Sequence, residues 1–167
     1  MSESCGNRIY RTKYIKEIDG GILLELTLAI LKPDCIQKKL AGKVIDHLLQ
    51  AGFEIKAMKM LRLSRETAGA FYAVHKERSF FNDLLDFMTE SKVVVLVLAK
   101  ENAVKNLRYT IGATDPSEAE DGTVRKLYAD NKQNNIIHAS DSLENAKIEI
   151  SFFFTNKELL ENDGAGE

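Results

Sequence analysis

Cysteine is scarce in this 167-residue chain: there are two, Cys5 and Cys35, too few to staple a fold and without metal-ligand spacing. That excludes a disulfide scaffold and a zinc module, and it predicts reduced thiols in a cytoplasmic setting. No apolar stretch is long enough to cross a bilayer. The nearest, GILLELTLAIL at 21–31, is broken by Glu25 and ends at Lys32-Pro33-Asp34 without a small-residue cleavage pattern, so it reads as a buried strand. Excess positive charge is missing too. With 23 Lys and Arg against 25 Asp and Glu, the net charge is -2, and bulk attraction to nucleic acid or an anionic membrane is not expected. The usual phosphate-binding signatures are also absent: no glycine-rich P-loop, no Gly-x-Gly-x-x-Gly and no His-Glu-x-x-His. A nucleotide enzyme made from this chain needs another way to hold phosphate. What is present is a globular balance, 44% hydrophobic and 29% charged, at a length that suits one domain around one core.

The apolar pattern lays out the elements. LTLAIL (26–31) is a strand stopped by Pro33, and residues 41–51 carry Val44, Ile45, Leu48 and Leu49 at helical spacing before Gly52. FEIKAMKML (53–61) alternates at Phe53, Ile55 and Ala57 and then slips phase near Met58 to Met60, which predicts a second strand with a bulge. Ser64 can cap a helix running to about Val74. A second helix over Phe80 to Met88 completes a helical hairpin, and VVVLVL (93–98), apolar on both faces, predicts a covered central strand. Val104, Leu107 and Ile111 give a helix ending at Gly112; residues 113–133 show no period and read as a long functional loop. A strand over Asn135 to His138 follows, then a helix opened by Asp141-Ser-Leu-Glu144 in the manner of a capping box, with Leu143, Ala146 and Ile150 inward. This order predicts an α+β fold: a ferredoxin-like βαββαβ sandwich whose four-stranded antiparallel sheet is covered by helices, with an inserted helical hairpin and a long active-site loop. Residues 1–22 read as an N-terminal extension, 23–155 as the domain and 156–167 as a loosely held tail.

Candidate chemistry is scattered. Lys32 ends the first strand, Arg108 flanks an apolar helix face, and Thr114, Arg125 and Asn135 lie in or beside the long loop; Lys and Arg at strand ends and loops are suited to holding phosphate. Taken singly, each reads more readily as a solvated charge or a loop cap. His138 sits where a β-branched run, NNIIH, meets the turn-forming ASDS, and a histidine there is more often a hydrogen-bonded structural residue. His47 and His75 read as structural or solvent-facing. An RNA-binding module of the same fold class would display aromatic and basic residues on a central strand, and VVVLVL has neither.

TLAILKPD (27–34), FYAVHKERSFF (71–81), GATDPSEAEDGTVR (112–125) and NNIIHASDSLENAKIEISFFF (134–154) together resemble successive blocks of the nucleoside diphosphate kinase family, in order and over roughly residues 26–154. The resemblance implies transfer of the γ-phosphoryl group of a nucleoside triphosphate to a nucleoside diphosphate through a phosphorylated histidine. It makes His138 the nucleophile, Glu149 the carboxylate that orients its ring and Ser140 a support. It makes Lys32, Tyr72, Arg108, Thr114, Arg125 and Asn135 the phosphate and ribose contacts, and Phe80 the aromatic on which the base stacks, with Leu84 beside it. It further implies Mg²⁺ held mainly by nucleotide phosphates rather than by protein ligands, and a homo-oligomer, a hexamer preferred over a tetramer. No membrane and no specific nucleic acid are expected as partners.

Departures from the family pattern lie around, not at, these positions. Ala139 stands where glycine usually follows the histidine, and its Cβ is expected to crowd the turn beside the nucleophile. KLYADNKQN (126–134) places Lys132 where an apolar residue usually forms the second wall of the base clamp; Asp121 and Ser79 each replace a proline. An active enzyme is expected. The alternative is a catalytically weakened kinase-like module that binds nucleotide or a regulatory partner without turnover.

Overall fold

The computed structural model describes residues 15–18 and 22–162, and the strands among them form one antiparallel sheet. Its strands are β1 (Ile15–Ile18), β2 (Ile22–Leu31), β3 (Glu54–Arg62), β4 (Lys92–Glu101) and β5 (Ile137–Ala139). β2 and β4 are central. β2 pairs with β4 over Leu24 to Leu31, while its other edge is shared by β1 at Ile22 to Glu25 and β5 at Ala29 to Leu31. The order β5-β2-β4-β3 is that of the expected ferredoxin-like sheet, and β1 is an addition to it. The expectation of a loose extension over residues 1–22 meets this strand at 15–18; four residues of IKEI are too few to carry a period, so pairing with β2 alone decides them.

Alternation along β2 and β4 divides the core. Leu28, Ile30, Val93, Val95 and Val97 face one side, with α3 (Arg65–Phe71), α4 (Phe81–Thr89) and α7 (Leu143–Phe153); Ala29, Leu31, Val94, Leu96 and Leu98 face the other, with α2 (Ala41–Gln50) and α5 (Ala103–Ile111). Helices on both faces are why β4 reads as an unbroken apolar run. The bulge in β3 falls between Ile55 and Ala57, two residues earlier than the phase slip near Met58 suggested, and it moves the strand's inward set from one core to the other.

The helical elements differ from expectation at their ends. Ser64 caps α3 as predicted, its Oγ accepting from Thr67 N at 3.0 Å, but α3 stops at Phe71 and a 3₁₀ turn at Ala73–His75 follows. α7 is capped by Ser142, which accepts from Asn145 N at 3.1 Å, one residue later than the predicted Asp141. Two short helices lie where none was expected: α1 (Pro33–Gln37), with proline at its first position, and α6 (Val124–Tyr128), inside the long loop. Residues 156–162, expected as a loose tail, form α8 (Asn156–Asn162). Leu159 is buried in the core, and Lys59 of β3 donates to Phe153 O and to Glu158 Oε1, both at 2.7 Å. One buried leucine in a polar stretch is too weak a pattern to mark a helix. No helix among the described residues is long and apolar enough to cross a membrane.

Candidate active site

His138 stands on the short strand β5, directly opposite Ile30 of β2, and therefore shares Ile30's face of the sheet. There it meets α7. Its Nε2 lies 3.0 Å from Glu149 Oε1, and Ser140 Oγ donates to the other carboxylate oxygen of Glu149. Ser140 is itself fixed to β2, its N–H donating to Leu28 O at 3.2 Å. A carboxylate only accepts hydrogen bonds, so Nε2 carries the ring proton and the Nδ1 lone pair is left open. The edges of Phe71 and Tyr72 close on the imidazole at centroid distances of 5.5 and 6.2 Å. The histidine side chain is nonetheless 21% exposed, enough for a small group to reach it. Tyr72 is buried with its hydroxyl unpartnered; burial, and then the Glu149 charge, push its pKa well above the ordinary phenol value.

The chain reaches β5 through a strained turn. Ile136 has φ 75°, a left-handed conformation that β-branched residues avoid, and Ile137 N donates back to Asn135 O at 2.8 Å to close a γ-turn around it. The start of α1 and its N-cap residue hold this turn: Ile136 N donates to Asp34 Oδ2 at 3.0 Å, and Lys32 N donates to Ile136 O at 2.9 Å. Ala139, expected to crowd this region, is not among the described residues of positive φ; it sits extended in β5 and packs on the core. The left-handed residue is Ile136 instead.

Beside the turn, cations gather. Lys32 is buried and its Nζ donates to Asn135 Oδ1 at 2.7 Å. Burial, then the nearby Arg125 charge, lower its pKa from 10.5 to about 8, against a smaller upward pull from Asp34. Arg125 on α6 donates to three backbone carbonyls: Ile137 at 2.7 Å, Gly112 at 2.9 Å and Asn135 at 3.3 Å. Burial, then Arg108, bring its pKa down to about 10. Partly desolvated like charges packed together are stabilised by an anion. Asn135 Nδ2 donates to Lys132 O at 2.9 Å and to Thr114 O at 3.4 Å, tying both ends of the long loop to Lys32. Arg108, Thr114 and Arg125 line one cleft of about 410 Å³.

The predicted base-binding residues are less tightly joined. Phe80 is 48% exposed at the start of α4 and tilts against His75 at 5.7 Å, and His75 stacks on Tyr72 at 6.5 Å. Leu84 packs on the core beneath α4. The Lys132 side chain is 73% exposed with Nζ 3.4 Å from Asp115 Oδ2.

The nucleoside diphosphate kinase sequence profile matches residues 25–159. The chain belongs to the nucleoside diphosphate kinase family. It is 58% identical over 139 residues to the nucleoside diphosphate kinase of Chloroherpeton thalassium, covering 83% of this chain and 99% of that one. It is 59% identical over 140 residues to that of Chlorobaculum parvum, covering 84% and 100%. Among solved structures, the orthorhombic crystal form of the Aquifex aeolicus enzyme superimposes with a TM-score of 0.79 at 46% identity, covering 81% of this chain and 98% of that chain. The Halobacterium salinarum nucleoside diphosphate kinase, solved in complex with CDP, gives 0.77 at 33% identity over 80% and 90%.

The structure joins His138, Glu149 and Ser140 by hydrogen bonds with Tyr72 against the imidazole, ties Lys32 to Asn135 and Asn135 to Thr114, and sets Arg108, Thr114 and Arg125 along one cleft. Three residues that reasoning from the sequence passed over also touch the site. Phe71 packs its edge on His138, Asp34 holds the turn before it, and His75, taken as structural or solvent-facing, links Phe80 to Tyr72. Phe71 had no separate signal inside an aromatic block. Asp34 follows Pro33 at the start of a helix, where an acidic residue reads as a favourable first-turn charge.

Proposed function

We propose that the enzyme moves the γ-phosphoryl group of a nucleoside triphosphate to a nucleoside diphosphate by a ping-pong route in which His138 Nδ1 is phosphorylated and then dephosphorylated. The observation that carries this is the Nε2 contact with Glu149 at 3.0 Å, which commits one ring nitrogen to a carboxylate and leaves the other as the nucleophile. When Nδ1 attacks the γ-phosphorus, the bond to the β-phosphate bridging oxygen breaks and the diphosphate leaves. The imidazolium that forms is stabilised by Glu149, with Ser140 keeping that carboxylate in line. Phosphoryl transfer asks for positioning and charge neutralisation more than covalent help, and Lys32, Arg108 and Arg125, with donors from Thr114 and Asn135, can supply both. The second half-reaction is the same step reversed onto a new diphosphate.

Mg²⁺ suits this donor set as a companion of the nucleotide. The described residues hold no group of three or more His, Cys, Asp or Glu placed to ligate a metal, while the candidate phosphate ligands are cations, a hydroxyl and an amide. The protein groups thus fit phosphate oxygens, and the metal would be held by those same phosphates. Bound there, Mg²⁺ would neutralise charge on the β- and γ-phosphates. We assign the nucleotide base to Phe80, with Leu84 beneath and the long stem of Lys132 opposite. Phe80→Ala is expected to weaken nucleotide binding by roughly 1–3 kcal/mol, read by calorimetry; unchanged affinity would place the base elsewhere.

Lys32 gives a pH dependence. Its ammonium is charged below about 8 and lost as pH rises through that value, so kcat/KM, which reports the free enzyme, should fall above pH 8. A bound phosphate favours the charged form, so kcat should hold to higher pH. Lys32→Arg, charged throughout, should remove the alkaline fall in kcat/KM even where its absolute rate is lower. A fall of unchanged position in that variant would assign it to another group.

We further propose a homo-oligomer, a hexamer preferred over a tetramer, acting in the cytoplasm. Support for assembly comes from β3, which pairs only with β4 among the described residues and leaves Met58 and Met60 each 55% exposed. The cytoplasmic setting is in keeping with Cys35 being a free cysteine.

A further inference from the structure

We infer that Asp34 is a positioning residue for phosphoryl transfer: its carboxylate clamps the left-handed turn at Ile136 and so sets where His138, two residues on, is held. The inference rests on His138 being the phosphorylated group.

A φ of 75° in a β-branched residue costs on the order of 1–3 kcal/mol and persists only where its surroundings over-determine it. The side chain of Ile136 is fully buried in the core, and the polar restraints on its backbone are few. Its N–H goes to Asp34 Oδ2, its carbonyl takes the Lys32 N–H, and the peptides around it are closed by the Ile137–Asn135 bond. The two bonds made to Ile136's own N–H and carbonyl come from Lys32-Pro33-Asp34, where proline at the first position of α1 fixes the backbone between the two, while Arg125 holds the flanking carbonyls of Asn135 and Ile137. Asp34 is buried, and its second oxygen, Oδ1, has no hydrogen-bond partner. Burying a carboxylate with one oxygen unpartnered costs free energy, and a residue needed only to fill that space would be apolar. What the carboxylate supplies here is an acceptor for one particular N–H.

That N–H matters because nothing separates the turn from the nucleophile but Ile137. β5 is three residues long and paired with β2 only at Ala29 to Leu31; at its entry the one further side-chain bond among the described residues is that of Arg125 to Ile137 O, which leaves the Ile136 N–H to Asp34. If Ile136 relaxed to negative φ, the peptide following Asn135 would rotate and β5 would shift against Ile30. His138 would then move relative to Glu149 on α7 and to Lys32 and Asn135 before the turn. A misplacement of about 1 Å can lower a rate by about 10²-fold without any change in the reacting groups.

The test is the single-turnover rate of histidine phosphorylation by γ-labelled ATP, with the natural protein run alongside Asp34→Ala, Asp34→Asn, Ile136→Gly and the double variant Asp34→Ala/Ile136→Gly. Asp34→Ala should slow labelling by about 10- to 100-fold while the nucleotide Kd stays within about twofold. Asp34→Asn keeps an oxygen for the same N–H and should stay within about threefold of the natural rate. In the Ile136→Gly background, which loses a buried side chain and sets its own baseline rate, Asp34→Ala should slow labelling by less than about threefold, because glycine adopts positive φ without a clamp; independent effects would give the same slowing in both backgrounds. Hydrogen exchange of the Ile136 amide, followed by NMR, should be slow in the natural protein and in Asp34→Asn and fast in Asp34→Ala. The inference is overturned by a folded Asp34→Ala that labels at the natural rate, by Asp34→Asn as slow as Asp34→Ala, by equal slowing from Asp34→Ala in the natural and Ile136→Gly backgrounds, or by loss of the fold in both backgrounds. Absence of label on the natural protein would instead remove the His138 assignment, and this inference with it.

Discussion

Replacing His138 with alanine is expected to abolish the phosphoenzyme and to lower nucleotide exchange by at least ~10³-fold, the scale of loss when a covalent nucleophile is removed. The fold should survive. His138 is partly exposed, and the bonds that seat β5 are backbone bonds to β2 together with those from Arg125, Lys32 and Asp34 to the turn. Glu149 would keep Ser140 as a partner. Steady-state exchange by a coupled assay and thermal unfolding of the same preparation separate the two effects. Exchange at a tenth of the natural rate or more, in a variant free of contaminating kinase, would favour direct transfer between two bound nucleotides.

Arg125→Ala should be the second most damaging change, lowering kcat by about 10²–10³-fold, as removal of one preorganised donor to a transition-state anion does. Unlike His138, Arg125 also carries structure, because its guanidinium ties Gly112, Asn135 and Ile137 together through their carbonyls. Alanine would leave three acceptors without their donor and should lower the unfolding temperature as well. Arg125→Lys keeps a charge but cannot reproduce a planar fork reaching three carbonyls, so it should recover less than about a tenth of the natural kcat. A lysine variant with near-natural kcat would show that charge alone is needed and that the bonds to the turn are incidental.

Much of this site was legible because phosphate chemistry favours a few residue types at strand ends and loops. Lys32, Arg108, Thr114, Arg125 and Asn135 could each be marked as an anion ligand, yet spacing alone could not join residues separated by as many as 103 positions. It took the pairing of β2 with β5 to bring Lys32 within 2.7 Å of Asn135. Glu149 is the clearest case of a residue invisible to periodicity: on a helix surface it reads as a solvated charge, and only the placement of α7 over β5 makes it the partner of His138. The large elements followed from alternation and helical spacing, because both sheet faces are buried and register is strongly specified. The short ones, β1, α1, α6 and α8, did not, since four to seven residues hold too little period and tertiary contact decides them. Strain at Ile136 was hidden for a different reason: nothing in an isoleucine's identity signals a left-handed turn, and the restraint comes from Asp34, far away in sequence.

The most direct measurement is incubation of the natural protein with γ-labelled ATP and Mg²⁺, followed by removal of free nucleotide, acid and base treatment of the labelled protein, and mapping of the label. A phosphohistidine intermediate predicts close to one label per chain, lost in acid and kept in base, located at His138 and discharged fully when a nucleoside diphosphate is added. Nucleotide exchange proceeding at its full rate with no label on the protein, or with label that survives acid and ignores added diphosphate, would contradict it.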